Sequence, residues 1–303
     1  MAKILVTPRS LTREAHPALQ RLRQAGHQIV TCRPGTMPDE AELLALLPGC
    51  EGYLAGVEKV SARVLEAAKG LKVISRNGAG IDNIDLEAAR RLNIQVRSAP
   101  GANARGVAEL AIALILGLLR SIPWSDGKLK SRSWTRRQGL EAAGRTLGVV
   151  GCGAIGRIVV GLAASLGMEI LGFDLRPDSA FAPQHFRWAS LEELLAGSDV
   201  VSLHCPAGRK PVIDREAIVQ MKQGAYLVNT ARAGVVEEQA VLEALEAGKI
   251  AGYAVDVFSQ EPPADWRIAA HERVIATPHI GGFTEESVRR AAECAVQNLL
   301  EVL

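Results

Sequence analysis

The run Thr146-Leu147-Gly148-Val149-Val150 leads into Gly151-Cys152-Gly153-Ala154-Ile155-Gly156 and then into an amphipathic stretch, Ile155–Leu166. No other feature of the chain restricts its fold as strongly. A β-branched strand, a glycine turn and a helix, in that order, make the first βα unit of a doubly wound sheet that binds a dinucleotide. Gly151 permits the tight turn, Gly153 lets a pyrophosphate approach the backbone, and Gly156 lets helix and strand pack closely. The helix N-terminus adds unpaired N–H groups and the positive end of its dipole. Asp174 closes the next strand, Glu169–Phe173, at the distance of about 20 residues where a carboxylate reads a ribose 2′-hydroxyl and repels a 2′-phosphate. NAD is therefore expected over NADP, although Arg176 is close enough to turn toward a phosphate.

Strands and helices alternate on both sides of this motif. The earlier strand candidates are Lys3–Thr7, Gln28–Thr31, Gly52–Ala55, Lys72–Ser75 and Ile94–Arg97, with helical patterns at Thr12–Ala25 and Ser61–Ala68. After an apolar helix, Ala102–Leu119, a second series follows: Thr146–Val150, Glu169–Phe173, Val200–His204, Ala225–Asn229, Ala251–Val255 and Val274–Ala276. Alternation of this kind implies parallel sheets covered on both faces. The expected fold is α/β, with two Rossmann-like doubly wound parallel-sheet lobes. A first boundary is expected at Ser98-Ala99-Pro100-Gly101, and the last helix, Thr284–Leu303, fits either lobe. Between Gly117 and Gly144 the chain reads as a polar connection. Trp124, Trp134 and the basic run Arg132 to Arg137 make a subunit contact an equal reading there, because interfaces favour Trp and Arg.

Composition excludes several classes. The 303 residues are 48% apolar and 22% charged, as in ordinary folded domains. The longest apolar stretch, Leu110 to Leu119, is bracketed by Glu109 and Arg120 and is about half of a membrane span, so no membrane partner is expected. The N-terminal residues show no apolar core of a secretory leader, and a cytoplasmic protein is expected. A net charge of +2 without a long basic run gives no footprint for nucleic acid. Cys32, Cys50, Cys152, Cys205 and Cys294 form no Cys-x-x-Cys pair, which suits a reduced compartment without disulfides. No metal is expected.

Three polar residues fall where strands of the second lobe should end: Arg232 after Tyr226–Ala231, Glu261 after Asp256-Val257-Phe258-Ser259-Gln260, and His279 after Val274–Pro278. Ligands of doubly wound sheets bind outside the carboxyl ends of the strands. Arg232 offers a planar fork for a carboxylate. A histidine such as His279 can exchange a proton with a hydroxyl or carbonyl. Glu261 beside the imidazole would orient it, and Asp256 could accept a bond from a nicotinamide carboxamide. Taken singly, each has a plainer reading as a surface ion-pair partner, a solvated loop acid or a structural histidine.

The segments Gly148–Gly156, Asn229–Glu237, Ala254–Pro263 and Pro278–Thr284 resemble those of the D-isomer-specific 2-hydroxyacid dehydrogenases. So does Ser75-Arg76-Asn77-Gly78-Ala79-Gly80-Ile81-Asp82-Asn83-Ile84-Asp85 in the first lobe, and the chain looks most like the phosphoglycerate-oxidising members. The resemblance implies that Arg232 holds the substrate, that His279 is the acid/base and that Glu261 is its partner. It implies substrate contacts at Arg76, Asn77, Gly78, Ala79 and Gly80. Cofactor contacts would add Ala154, Ile155, Cys205, Pro206, Thr230, Ala231, Asp256, Gly281 and Gly282 to the glycine motif and Asp174. It further implies a discontinuous substrate-binding domain, 1–98 plus 284–303, and an NAD-binding domain, 99–283, with a cleft between them that closes on substrate. A homodimer through the cofactor domain, around Trp124 and Trp134, is also implied.

The substrate implied is a small 2-hydroxy or 2-oxo acid, best 3-phosphoglycerate/3-phosphohydroxypyruvate, with glyoxylate or hydroxypyruvate reduction as the alternative. A non-catalytic NAD-sensing, corepressor-like binding protein is the second class. The chain departs from the phosphoglycerate-oxidising pattern at Ala55, where an arginine is common, at Glu58, which adds negative charge, and at Ala79, where some relatives have threonine. Arg76 and Lys59 remain as candidate phosphate partners. The sequence ends after the last helix, so the regulatory domains of longer relatives are not expected.

Overall fold

Short apolar runs, those of the central strands buried on both faces, form two parallel sheets in the computed structural model, which describes residues 1–13 and 16–303. One sheet comprises β1 (Lys3–Val6), β2 (Gln28–Thr31), β3 (Gly52–Ala55), β4 (Val73–Arg76) and β5 (Gln95–Arg97), in the order β2-β1-β3-β4-β5. The other comprises β6 (Thr146–Val150), β7 (Glu169–Phe173), β8 (Phe186–Trp188), β9 (Val200–Leu203), β10 (Ala225–Asn229), β11 (Ile250–Val255) and β12 (Val274–Ala276), in the order β12-β11-β10-β9-β6-β7-β8. Both orders reverse direction beside their first strand, which is the doubly wound pattern.

The chain divides into two compact units, Met1–Asn103 with Gly282–Leu303, and Ala104–Gly281. In the first, the terminal helix Glu285–Leu300 lays Ala292, Ala295, Val296 and Leu299 against Ile4, Val6, Leu54 and Val73. Thr284 caps that helix by accepting from Ser287 N at 3.1 Å. Residues 99–103, given to the second lobe by the sequence reading, fall in this unit: Ala99 and Ala102 pack on Ala291, and Arg290 Nε donates to Ala102 O at 2.9 Å.

In the second unit, helices Ala104–Leu119 and Ala154–Ser165 cover one face, packing Leu114, Ile115, Val159 and Val160 with Leu147, Val149 and Val228. The opposite face buries Val150, Val201, Leu203 and Leu227 with Leu194, Ile218, Val241 and Leu245.

Three elements differ from the sequence reading. The helix expected over Thr12–Ala25 is two short helices, Arg9–Thr12 and Ala18–Gln24, with Pro17 at the cap of the second; Glu14 and Ala15 lie outside the described residues. The polar connection holds a helix, Ile122–Lys130, which buries none of its residues and therefore has no apolar stripe to announce it. It is supported by a Lys130–Asp126 pair at 2.6 Å and by the Arg137 guanidinium, 4.2 Å from the centre of the Trp124 ring. The short edge strand β8 is held by aromatic packing, with Phe186 edge-on to Trp188 at 5.0 Å and to Phe181 at 5.1 Å.

Leu299 is fully buried in the first unit's core. Leu299→Ala is expected to lower that unit's stability by about 3 kcal/mol, seen as an earlier urea transition of the first unit; an unchanged transition would mean that the terminal helix is not part of this core.

Candidate active site

The glycine turn is shaped by what stands against it. Gly151 adopts φ +93, and a Cβ there would lie 2.7 Å from Cys205 N and from His204 C. A Cβ at Gly156 would lie 2.1 Å from Gly151 O, so the helix can start this close to the strand only without a side chain. At Gly153 nothing lies within 4 Å of the Cβ position, and the helix that follows has no side-chain cap. Gly153 and Ala154 are exposed there, with Ile155 part-buried beside them. This is an open cradle of backbone N–H groups suited to phosphate oxygens.

Asp174, beyond β7, is tied to the turn: Oδ2 accepts from Cys152 N and Oδ1 from Arg176 N, both at 3.0 Å. The Arg176 side chain is exposed. Cys205 is part-buried and Pro206 exposed just past β9, and burial pushes the Cys205 thiol up.

At the carboxyl edge of the sheet, Asn229 is matched to Leu203 on β9 and to Val255 on β11. One residue further, the same register sets His204, Thr230 and Asp256 side by side. The hydroxyl of Thr230 is buried without a partner, and so is His204 Nδ1, while His204 Nε2 and Ser202 Oγ are 2.9 Å apart. Burial pushes His204 down to about 4. These orphaned polar atoms, the open turn and the acid beyond β7 fit a dinucleotide.

Asp256 is 1% exposed and holds the next loop. Its Oδ1 accepts from Thr277 Oγ1 at 2.6 Å and from Ile280 N at 2.8 Å, and its Oδ2 accepts from Gly281 N at 2.8 Å. The carboxylate expected to meet a carboxamide thus also fixes the residues on both sides of His279, which adopts φ +53. His279 Nδ1 lies 2.9 and 2.8 Å from the two oxygens of Glu261, and Glu261 is steadied by Phe258 N at 3.2 Å. This pairing leaves Nε2 as the nitrogen able to exchange a proton.

Arg232 stands on the loop after β10. Asn229 shapes that loop: its Nδ2 donates to Arg232 O at 3.0 Å and its Oδ1 accepts from Ala231 N at 3.0 Å. The Arg232 guanidinium donates to Ala231 O at 2.7 Å. Asn229, Thr277 and His204 carry no role in the sequence reading. Their contribution comes from backbone bonds and strand register, which residue types alone do not display.

The other expected contacts, Arg76 to Gly80, lie after β4 in the first unit. Asn77 N donates to Ala55 O at 2.8 Å, and the Arg76 guanidinium folds onto Asn77 O. Gly78, at φ +148, makes room for it, since a Cβ there would meet Arg76 Nη1 at 1.8 Å. Ala79 and Gly80 are part-buried. Gly282 falls in the first unit, next to Gly281 of the second.

The second unit is a doubly wound dinucleotide-binding domain with an Arg, a Glu–His pair and a buried Asp at its carboxyl edge. Residues 112–281 match the family model described as D-isomer specific 2-hydroxyacid dehydrogenase, NAD binding domain. The chain belongs to this family, and its cofactor is NAD. It is 40% identical over 261 residues to D-3-phosphoglycerate dehydrogenase of Homo sapiens, a match that covers 83% of this chain and 48% of that protein. The chain thus spans about half the length of several curated relatives it matches. It is 37% identical over 273 residues to hydroxypyruvate reductase of Thermotoga maritima, covering 88% of this chain and 89% of that one. Among solved structures, the TT0316 protein from Thermus thermophilus superposes with a TM-score of 0.89 at 36% identity, covering 98% of this chain and 96% of that one.

His204 binds a proton more weakly folded, at about 4, than unfolded, at 6.5. Between those values the unfolded state carries the extra proton, so this residue's contribution to stability is lost as pH falls from about 6.5 toward 4. His204→Asn is expected to flatten that loss in urea midpoints taken at pH 7 and pH 5; an equal decline in both proteins would place the effect elsewhere.

Proposed function

We propose that this chain is an NAD-dependent dehydrogenase that interconverts a D-2-hydroxy acid and its 2-oxo acid. The observation that carries the reading is the pairing of His279 Nδ1 with both oxygens of Glu261 at 2.8 and 2.9 Å, on a loop held by Asp256. The cofactor, when bound, would take the hydride from C2 of the hydroxy acid in its oxidised form, NAD, and return it to the 2-oxo acid in its reduced form, NADH.

The chain's own residues do the rest. In the reducing direction, protonated His279 gives its Nε2 proton to the oxygen at C2, and Glu261 stabilises the imidazolium before that transfer. In the oxidising direction, neutral His279 takes the hydroxyl proton through the same nitrogen. Arg232 pairs with the substrate carboxylate and the C2 oxygen, where negative charge develops. The segment Arg76–Gly80 after β4 is the first unit's own substrate contact, which makes that unit the substrate-binding domain. Thr230, Ala231 and the turn Gly151–Gly156 hold the cofactor, and Asp174 reads its ribose.

The substrate is a short 2-oxo acid. The name of the human relative supports 3-phosphoglycerate, with 3-phosphohydroxypyruvate as its 2-oxo acid, and that of the Thermotoga maritima relative, matched over most of both chains, supports hydroxypyruvate. We also propose a homodimer through the cofactor domain around Trp124 and Trp134. Support comes from Ile122, Leu129 and Trp134, which are 54%, 59% and 85% exposed.

NADH oxidation across a panel of 2-oxo acids tests the activity. NADH binding without turnover of any acid would favour a sensor over an enzyme. His279→Ala is expected to reduce kcat by about 10²- to 10⁴-fold while NADH binding, read by fluorescence titration, changes little; parallel loss of both would remove the proton-transfer role. Arg232→Lys is expected to raise KM for the acid and lower kcat, because an ammonium cannot make the two-pronged contact, and unaltered steady-state constants would take Arg232 out of the site.

A further inference from the structure

The first unit buries a charge that the chemistry above does not use. Glu58 is only 3% exposed. Its Oε1 accepts from Tyr53 Oη at 2.6 Å, from Gly56 N at 2.8 Å and from Thr7 Oγ1. Tyr53 and Thr7 are themselves buried. Burial, and then the neighbouring Glu58, push the Tyr53 hydroxyl well above its usual range, so it stays a donor. Three donors converging on one oxygen are the setting of an ionised carboxylate. All three are neutral, so they satisfy its hydrogen bonds without cancelling its charge.

The place of this carboxylate gives it consequence. Thr7 follows β1, Gly56 follows β3, and Asn77 N beyond β4 donates to Ala55 O at 2.8 Å. Asn83 Nδ2 then ties the Glu58 loop down through Gly56 O at 3.2 Å and Glu58 O at 2.7 Å. Glu58 therefore sits at the carboxyl edge of the five-stranded sheet, beside the segment proposed to contact the substrate. Ligands of parallel sheets bind at this edge.

We propose that Glu58 sets the substrate class, favouring 2-oxo acids whose C3 substituent is uncharged and opposing those that carry a phosphate. The inference rests on the dehydrogenase reading above. A charge removed from water is screened little by salt, and a phosphate brought to the same edge meets like charge. A hydroxyl at C3 meets no such repulsion. Of the two cations named above as phosphate partners, Lys59 is exposed, so its charge is screened where that of Glu58 is not, and the Arg76 guanidinium is already committed to Asn77 O.

Glu58→Gln separates charge from structure, because the amide keeps the acceptor oxygen and the shape. Rates with hydroxypyruvate and 3-phosphohydroxypyruvate are compared in both proteins. The unaltered protein is expected to prefer hydroxypyruvate, and Glu58→Gln to raise kcat/KM for the phosphorylated acid relative to hydroxypyruvate by about tenfold or more. A preference of the unaltered protein for the phosphorylated acid overturns the inference. An unchanged ratio in the variant, with both rates falling together, also overturns it and leaves Glu58 a loop tie. If the variant does not fold, competitive inhibition of the unaltered protein decides: 3-phosphoglycerate should bind about tenfold or more weakly than D-glycerate, and equal or tighter binding overturns the inference. Absence of turnover with every 2-oxo acid overturns the dehydrogenase reading and this inference with it, whereas turnover with an unchanged ratio overturns the specificity role alone.

Discussion

The buried carboxylate of Asp256 is the constraint on which the second unit's chemistry depends. It stands one residue beyond β11 and takes bonds from Thr277, Ile280 and Gly281. Removing a carboxylate from water is costly unless its oxygens are satisfied, and here the loop that carries His279 satisfies them. That loop is thereby pinned with His279 in the left-handed region, and Glu261 can meet Nδ1 with both oxygens. The sheet supplies the position, Asp256 transmits it, and the imidazole inherits it.

Polar residues in both units concentrate at carboxyl edges of parallel strands, but they serve different ends. In the second unit, His204, Thr230 and Asp256 form a row in register, with Arg232 and the glycine turn on the neighbouring loops. In the first, Thr7, Tyr53 and Gly56 gather around Glu58. One edge suits a dinucleotide and a proton-exchanging pair. The other surrounds a fixed negative charge, in a family whose members differ in the acids they are named for.

Much of this was legible in the sequence, for reasons that can be given residue by residue. The strands around the glycine motif are continuous apolar runs, and Gly151 and Gly156 stand where a side chain would strike Cys205 N or Gly151 O. Residue chemistry and position after strands singled out Arg232, Glu261 and His279, and the structure brings the last two within hydrogen-bonding distance. Elements without periodicity escaped: the helix Ile122–Lys130 has no fully buried residue, and β8 is only three residues held by aromatic edges. The role of Asn229 escaped because it acts on backbone groups. Glu58 was visible as an added charge, but its burial was not, since Thr7 reaches it from beyond β1, far away in the sequence, and Tyr53 from within β3.

The terminal helix Glu285–Leu300 belongs to the unit that begins at Met1. On the ribosome, the chain from Ala104 to Gly281 emerges ahead of that helix, so the second unit can begin to fold while the first still lacks one layer. Until the helix arrives, the face of the five-stranded sheet bearing Ile4, Val6, Leu54 and Val73 is covered only by the early helices, through Leu11, Leu19 and Leu22. Contacts spanning almost the full chain form slowly, and an apolar face that waits is open to association. The half-covered face of the first unit is therefore open to association for longer during synthesis than the core of the second.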